Sequence, residues 1–300
     1  MKFIRAIITY CLFPVVFVGT MCLAILGMDN GLHKVIILSL VSLTTGLIII
    51  IFEQINPNYK QWNQTQNDVK TDIMHALVSM TLVPHILDIA LAVTLLGVAL
   101  NLSNIVGFAF WPYDWNIIMQ LTLAMLISQF GEYWVHRFMH EKPFLWRFHA
   151  THHSPKRLYF LNAARFHPID TSANHLSAYI PLLILGTGEE VLLLVAIWIY
   201  VHGMFQHCNI HLKLGWLNYI FSMAEIHRWH HSLVLEESNA NYGNNIIFWD
   251  IVFGTMFFPK DNKAKQDVGI ANLPNFPQKY ISQILSPFKW DTITGSSKII

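Results

Sequence analysis

Charge is scarce in this chain. Only 12% of its 300 residues are Asp, Glu, Lys or Arg, while 54% are hydrophobic. A soluble domain carries about 25% charged residues, so a water-surrounded globule is excluded and the chain reads as a membrane protein. The net charge of +1 gives no signal for a nucleic-acid partner. Cysteine is rare as well: Cys11, Cys22 and Cys208 form no CxxC pair, which removes any disulfide framework. A GxGxxG loop for a nicotinamide or flavin is missing, as are internal repeats and low-complexity tracts. One residue type runs the other way. Histidine occurs sixteen times.

The apolar runs divide the first half of the chain. Phe3 to about Met28, flanked by Lys2 and Arg5, is longer than a signal-peptide core of about 7–15 residues, so a retained first membrane helix is expected. Val35 to Phe52 is the second, and Met74 to Leu100 the third, with a kink expected at Pro84. Trp115 to Trp134 is the fourth. A polar stretch, 56–72, joins the second to the third. Lys60, Lys70, Arg137, Lys142 and Arg147 follow the even-numbered helices, whereas 101–114 has no basic residue; Lys34 is the exception. The positive-inside rule then places both termini and His136 on the cytoplasmic side.

Leu176 to Phe205 is apolar again, split by Gly186-Thr187-Gly188. Halves of about 11 and 16 residues are short for full spans, so a re-entrant hairpin is expected. Residues 213–226 are expected to form an interfacial helix with Trp216, Tyr219 and Phe221 near headgroup depth. The whole reads as one all-α membrane unit over 1–300. Four transmembrane helices and the hairpin lie below a cytosolic histidine-rich cap. Helices occupy mainly 1–135, the metal-binding region 136–260, and a polar tail 261–300.

Ten of the histidines fall into four clusters: His136 and His140; His149, His152 and His153; His207 and His211; His227, His230 and His231. The spacing is HX3H, HX2HH, HX3H, HX2HH. Residues at i, i+3 and i+4 share one face of a helix, so each cluster is expected to present its imidazoles together. Imidazole suits iron, zinc, copper or nickel, and ten rings exceed what one ion takes, which points to two metals with open positions. No cluster has Asp or Glu between its histidines. That argues against a zinc hydrolase, which places a general-base carboxylate beside its ligands as in HExxH. A transporter or metal sensor would carry ligands along a mid-bilayer path, not beyond helix ends. These remain the two rival readings.

The motif set resembles the fatty acid hydroxylase/sterol desaturase superfamily of integral-membrane oxygenases. Beyond the histidines, Tyr133 to His140, Arg165-Phe166-His167-Pro168, His227 to His231, Asn241-Tyr242-Gly243-Asn244, Trp249-Asp250 and Phe253-Gly254-Thr255 carry the likeness. The resemblance implies a mushroom-like fold and two iron ions, with zinc entering on purification. It implies O2 as co-substrate and a membrane lipid of sterol, fatty acyl or alkylglycerol type as the molecule hydroxylated or desaturated. No cytochrome b5 module with a His-Pro-Gly-Gly signature is present, so electrons are expected from a separate cytochrome b5-like protein, ferredoxin or reductase. The likeness to bacterial proteins favours a bacterial inner membrane over the endoplasmic reticulum.

Ligating histidines usually donate their second nitrogen to a carboxylate or carbonyl. Glu132, His167, Asp170, Glu225 and Asp250 are the candidates for that support. His33, His75, His85, His175 and His202 are expected to be packed or hydrogen-bonded residues, and Cys208 a buried thiol.

Overall fold

The computed structural model describes residues 2–106, 109–259 and 264–295. Its helices are α1 (Lys2–Asp29), α2 (Lys34–Ile55), α3 (Val69–Leu77), α4 (Val83–Val106), α5 (Ile117–Glu141), α6 (Pro143–His153) and α7 (Pro168–Ile184). They continue with α8 (Glu189–His207), α9 (Ala224–His230), α10 (Leu235–Ser238), α11 (Phe248–Phe253), α12 (Tyr280–Ile284) and α13 (Trp290–Thr294). Among the described residues no strand forms, only isolated bridge pairs. The all-α expectation holds.

Among the described residues four helices are long and apolar enough to cross a membrane: 2–29, 34–55, 69–92 and 189–207. Three coincide with expected spans. The fourth is the second half of the hairpin, and α5 is not among them because Gln120, Gln129, Glu132, His136 and Arg137 interrupt its apolar character. Phe13, Phe17, Ile37, Ile49, Leu194 and Phe205 bind α1, α2 and α8 into one core. Val15, Leu23, Leu43 and Leu47 on the outer faces are exposed, as lipid-facing side chains are.

Two prolines explain local departures from plain helix. Pro84 has no N–H, so the carbonyl of Met80 loses its helical donor. A π turn at Val78–Leu82 absorbs the mismatch, and the Tyr200 hydroxyl donates to Met80 O at 2.8 Å. Pro181 likewise frees the carbonyl of Ser177 in α7. A Cβ at Gly131 of α5 would lie 2.3 Å from that oxygen. Only glycine lets α5 approach α7 so closely.

The hairpin turns at Gly186, as its glycines foretell, with φ +76°. Its arms are longer than expected, 17 and 19 residues, because polar residues such as Asp170, Asn174 and His175 extend α7 beyond the apolar run. The Tyr113 hydroxyl bonds to Gly186 O, and Lys34 Nζ meets Glu189 Oε2 at 3.2 Å. The turn therefore lies beside the loops at the far ends of α1, α2 and α5. The hairpin runs the length of the bundle and does not stop part-way. Lys34, out of place by the positive-inside rule, has its partner there.

Residues 56–72 are not a loose connector. Arg157 grips Asp68 with Nε and Nη2 at 2.7 and 2.8 Å, and Arg165 Nε reaches Asp72 Oδ1 at 2.5 Å. Burial works against the charge on Asp68, but the Arg157 guanidinium overrides it and holds the carboxyl below its usual range. The described part of the expected polar tail, 264–295, is folded. Leu273, Phe276 and Trp290 bury against Ala150 of α6; residues 261–263 and 296–300 lie outside the described residues. The expected interfacial helix over 213–226 is replaced by a 3-10 turn at Gly215–Tyr219. Trp216 and Tyr219 stay exposed, but Phe221 turns inward against Phe13 and Phe17.

Candidate metal centre

The last turns of α5, all of α6, the end of α8 and all of α9 converge on one buried point. Nine of the ten clustered histidines meet there in two groups. His136, His140, His149, His153 and His230 form the first, and His152, His207, His227 and His231 the second; in each, one nitrogen per ring lies within 4.8 Å of every other. The two HX2HH motifs behave alike. Their first and last rings share a group, and the middle ring crosses to the other. Helix geometry explains the split: at about 100° per residue, i+4 returns close to i, while i+3 points about 100° away from i+4.

His211 is in neither group. Helix α8 ends at His207, so the i+4 relation that would align the two rings no longer holds. The His211 backbone pairs with Asn56 O at 2.8 Å, and its Nδ1 lies 3.2 Å from Asn58 Oδ1. His202 is fully buried between Phe13 and Phe221, also apart from the groups. Cys208 is buried beside the site, and burial pushes its thiol up to about 12.

The outer nitrogens of five rings have acceptors. Nδ1 of His136 donates to Tyr242 O at 2.7 Å, that of His230 to Ala240 O at 2.8 Å, and that of His149 to Asp170 Oδ2 at 2.7 Å. His140 and His207 use the side-chain oxygens of Asn239 and Asn162, at 3.2 and 3.0 Å. Each bond makes Nδ1 the protonated nitrogen and leaves Nε2 with its lone pair facing inward. His152 lacks such a bond on Nδ1; its ring is stacked on Phe166, centroids 4.0 Å apart and planes 16° from parallel. Burial first, and mutual repulsion second, hold His149, His152, His153, His227, His230 and His231 well below the usual imidazole range. They are neutral, the form that binds metal.

These residues fit a pair of metal ions. His136 Nε2 and His149 Nε2 sit 3.0 Å apart, and both carry their proton on the opposite nitrogen. Two lone pairs face each other across that gap, which is unfavourable without a cation between them. His140 Nε2 is buried with no hydrogen-bond partner. An all-imidazole donor set of this kind suits a borderline transition metal.

The supporting residues divide by what they touch. Asp170 alone among the five candidates bonds a ring of the groups. Asp250 acts one step back: it accepts from Tyr242 N, Gly243 N and the Thr255 hydroxyl, each at 2.7 Å, fixing the loop whose Tyr242 carbonyl holds His136. Burial raises the Asp250 carboxyl to about 6, with those donors pulling it back. Glu132 bonds Gln129 and Asn244, both at 3.0 Å, bracing the same loop. His167 caps α7 by accepting from Ile169 N at 3.1 Å, and Pro168 opens the helix that carries Asp170. Glu225 binds Leu214 N and Asn218, ordering the 3-10 turn, and touches no ring. Asp170→Asn keeps an acceptor and loses the charge. Its expected cost in activity or metal affinity is about 10–100-fold, with Glu225→Gln close to the parent protein; metal content and initial rates of the two variants check this.

Asn162 and Asn239 escaped sequence reasoning because nothing in their spacing links them to the histidines; Phe166 stood in a motif that carries the likeness but was given no role of its own. Glu53 escaped for another reason. It sits at the end of an apolar helix, fully buried, and accepts from Phe160 N at 3.0 Å and Asn209 N at 2.8 Å. It thus ties α2 to the segments bearing Asn162 and His207. A lone carboxylate in an apolar run was the available signal.

The family model for fatty acid hydroxylase matches residues 121–255, which takes in all ten clustered histidines. The chain is 34% identical to ornithine lipid hydroxylase OlsE of Rhizobium tropici over 285 residues, 94% of this chain and 85% of that protein. It is 32% identical to alkylglycerol monooxygenase of Danio rerio over 161 residues, 53% of this chain but 35% of that protein. Methylsterol monooxygenase 1 of Rattus norvegicus is 29% identical over 165 residues, 48% of this chain and 51% of that protein. No solved structure matches it. With oxidoreductases on every side and a likeness to one of them that runs nearly end to end, the chain is an oxidoreductase and belongs to the fatty acid hydroxylase family.

Proposed function

We propose that this chain hydroxylates a membrane lipid, using O2 and two iron ions held by the nine converging histidines. The observation that carries the reading is the near-complete alignment with a lipid hydroxylase, together with two buried all-imidazole groups. An acylated amino-acid lipid of the ornithine type is the first substrate class to try; the sterol, fatty acyl and alkylglycerol classes expected from sequence follow. The cap faces the cytoplasm, with a bacterial inner membrane as its setting. A separate redox protein delivers the electrons. Nothing in the comparisons supports a zinc hydrolase, a transporter or a sensor.

When bound, iron supplies the chemistry that reduces O2 to an oxidant able to attack an unactivated C–H bond. Overall, one oxygen atom enters the C–H bond. The other leaves as water, with two electrons and two protons taken from the donor and solvent. The chain does the rest. Tyr242 O, Ala240 O, Asp170, Asn239 and Asn162 fix which nitrogen of each ring faces inward. No ring of the two groups is more than 4% exposed, and this dryness protects a reactive oxidant from side reactions. The ends of α5 and α8 set the rings at the edge of the apolar bundle, within reach of a bilayer lipid.

The test is turnover with heavy-isotope O2 in membranes containing ornithine lipid, the product being read by mass spectrometry. A product one labelled oxygen heavier is expected, with no product under strict anaerobiosis or without a reductant. Desaturation would show the O2 requirement without the label. Equal conversion without O2 would overturn the oxygenase reading.

A further inference from the structure

Among the described residues outside the long helices, one of the exposed apolar surfaces gathers around α12. Ile281, Leu285 and Phe288 are 64%, 41% and 71% exposed. Their spacing, i, i+4 and i+7, puts them on one face of α12 and the 3-10 turn after it. Phe144, at the start of α6 and 65% exposed, belongs with them. It packs on Phe148 at 5.6 Å between centroids, and Phe148 lies 6.3 Å from Phe288. Lys279 and Lys289 bracket the segment, and both are exposed.

The other face of this segment is fastened to α3. Gln278 O accepts from the Thr71 hydroxyl at 2.9 Å, and buried Gln283 Oε1 lies 2.9 Å from His75 Nε2. Thr71 and His75 open the apolar helix 69–92, which is long enough to cross a membrane. On that helix Val69, Ile73 and Leu77 are themselves exposed. The apolar face of α12 therefore stands at the level where this helix leaves the bilayer. Apolar residues on one side and flanking lysines are the pattern of an element lying in the lipid headgroup layer.

We propose that residues 279–289, together with Phe144, are seated in the surface of a phospholipid bilayer. Ile281, Leu285, Phe288 and Phe144 reach the acyl boundary, and Lys279 and Lys289 meet anionic headgroups. The segment fastens the metal-bearing cap to the membrane at a second place, beside α3 and against α6. Through Gln283, which also donates to the Ser154 hydroxyl at 3.0 Å, this anchorage reaches the residue next to His153.

The test uses the full chain in lipid nanodiscs. Cys11→Ser and Cys22→Ser remove the exposed thiols, and Cys208 is buried. A spin label is then placed through Ile281→Cys or Phe288→Cys, with Glu236→Cys as a charged, exposed reference. Both test labels are expected to collide with dissolved oxygen and to be shielded from a water-soluble nickel chelate, the reverse of the reference. In discs containing phosphatidylglycerol, adding Lys279→Gln and Lys289→Gln is expected to raise chelate access severalfold, with little change in pure phosphatidylcholine. Chelate access equal to the reference at both positions would overturn the proposal. So would shielding that disappears when each disc holds a single chain, which would make the occupant a second copy. Two independent label sites guard against one substitution disturbing the fold.

Discussion

Alanine at His230 is expected to abolish turnover and empty the first metal group, whereas alanine at His211 leaves the metal content unchanged. His230 is the ring that crosses from α9 into the group otherwise built on α5 and α6. Its Nε2 lies 3.2 Å from His153 Nε2, and its centroid is 4.6 Å from those of both His136 and His140. Its loss removes a ligand from the middle of that group, so the effect should exceed the roughly 10–100-fold typical of an outer partner. His211 has the same sequence spacing to His207 as His140 has to His136, yet it faces Asn58. Metal analysis of the two purified variants separates them. Loss of an ion from His211→Ala would return that residue to the ligand set.

Gly243→Ala is expected to be nearly as damaging, although it touches no histidine. A Cβ there would lie 2.4 Å from Ile246 O and 2.6 Å from Asp250 Oδ2. Real Cβ atoms do not come so close, so either the loop or the carboxylate must move. Neither is free. Asp250 holds Tyr242 N and Gly243 N, and Asn241, at φ +57°, is tied to Phe257 O at 2.8 Å. The displaced group is then the Tyr242 carbonyl, and with it the orientation of His136. Reduced metal content with a retained helical circular-dichroism spectrum is the expected signature. Full metal and activity in Gly243→Ala would show that the loop does not orient the ring.

The histidine centre was legible because its signal is periodic. On α6, which runs through its whole motif, and on α9, which reaches His230, spacing brings the rings to one centre. Spacing does not show that the middle ring of each HX2HH motif joins the other group, contrary to the expectation that each cluster presents its rings together. It fails at His211, where the helix stops one residue before Cys208, a boundary that spacing does not reveal. The apolar runs located α1, α2 and α3–α4 for the same reason, since burial in lipid demands continuous apolar length. The depth of the α7–α8 hairpin was not legible: it depends on polar residues that extend α7 and on Tyr113 and Lys34, distant in sequence. Asn162, Asn239 and the carbonyls of Ala240 and Tyr242 were hidden too, because a backbone oxygen has no sequence signature. Glu225 shows the converse: two residues from His227, it still turns away to cap a neighbouring turn.

The crossing of the middle rings has a consequence for how the centre is filled. Each group draws on α6 and α9, which stand on opposite sides of the α7–α8 hairpin in the chain. Neither full set of rings comes together until α9 has docked, so a metal would meet all its ligands only in the completed fold. An ion held by either group would tie α6 to α9 and so steady the rings of the other group. Loading would then be cooperative. A metal titration is expected to pass from empty to doubly filled chains with few singly loaded molecules between them, and a chelator to strip both ions together.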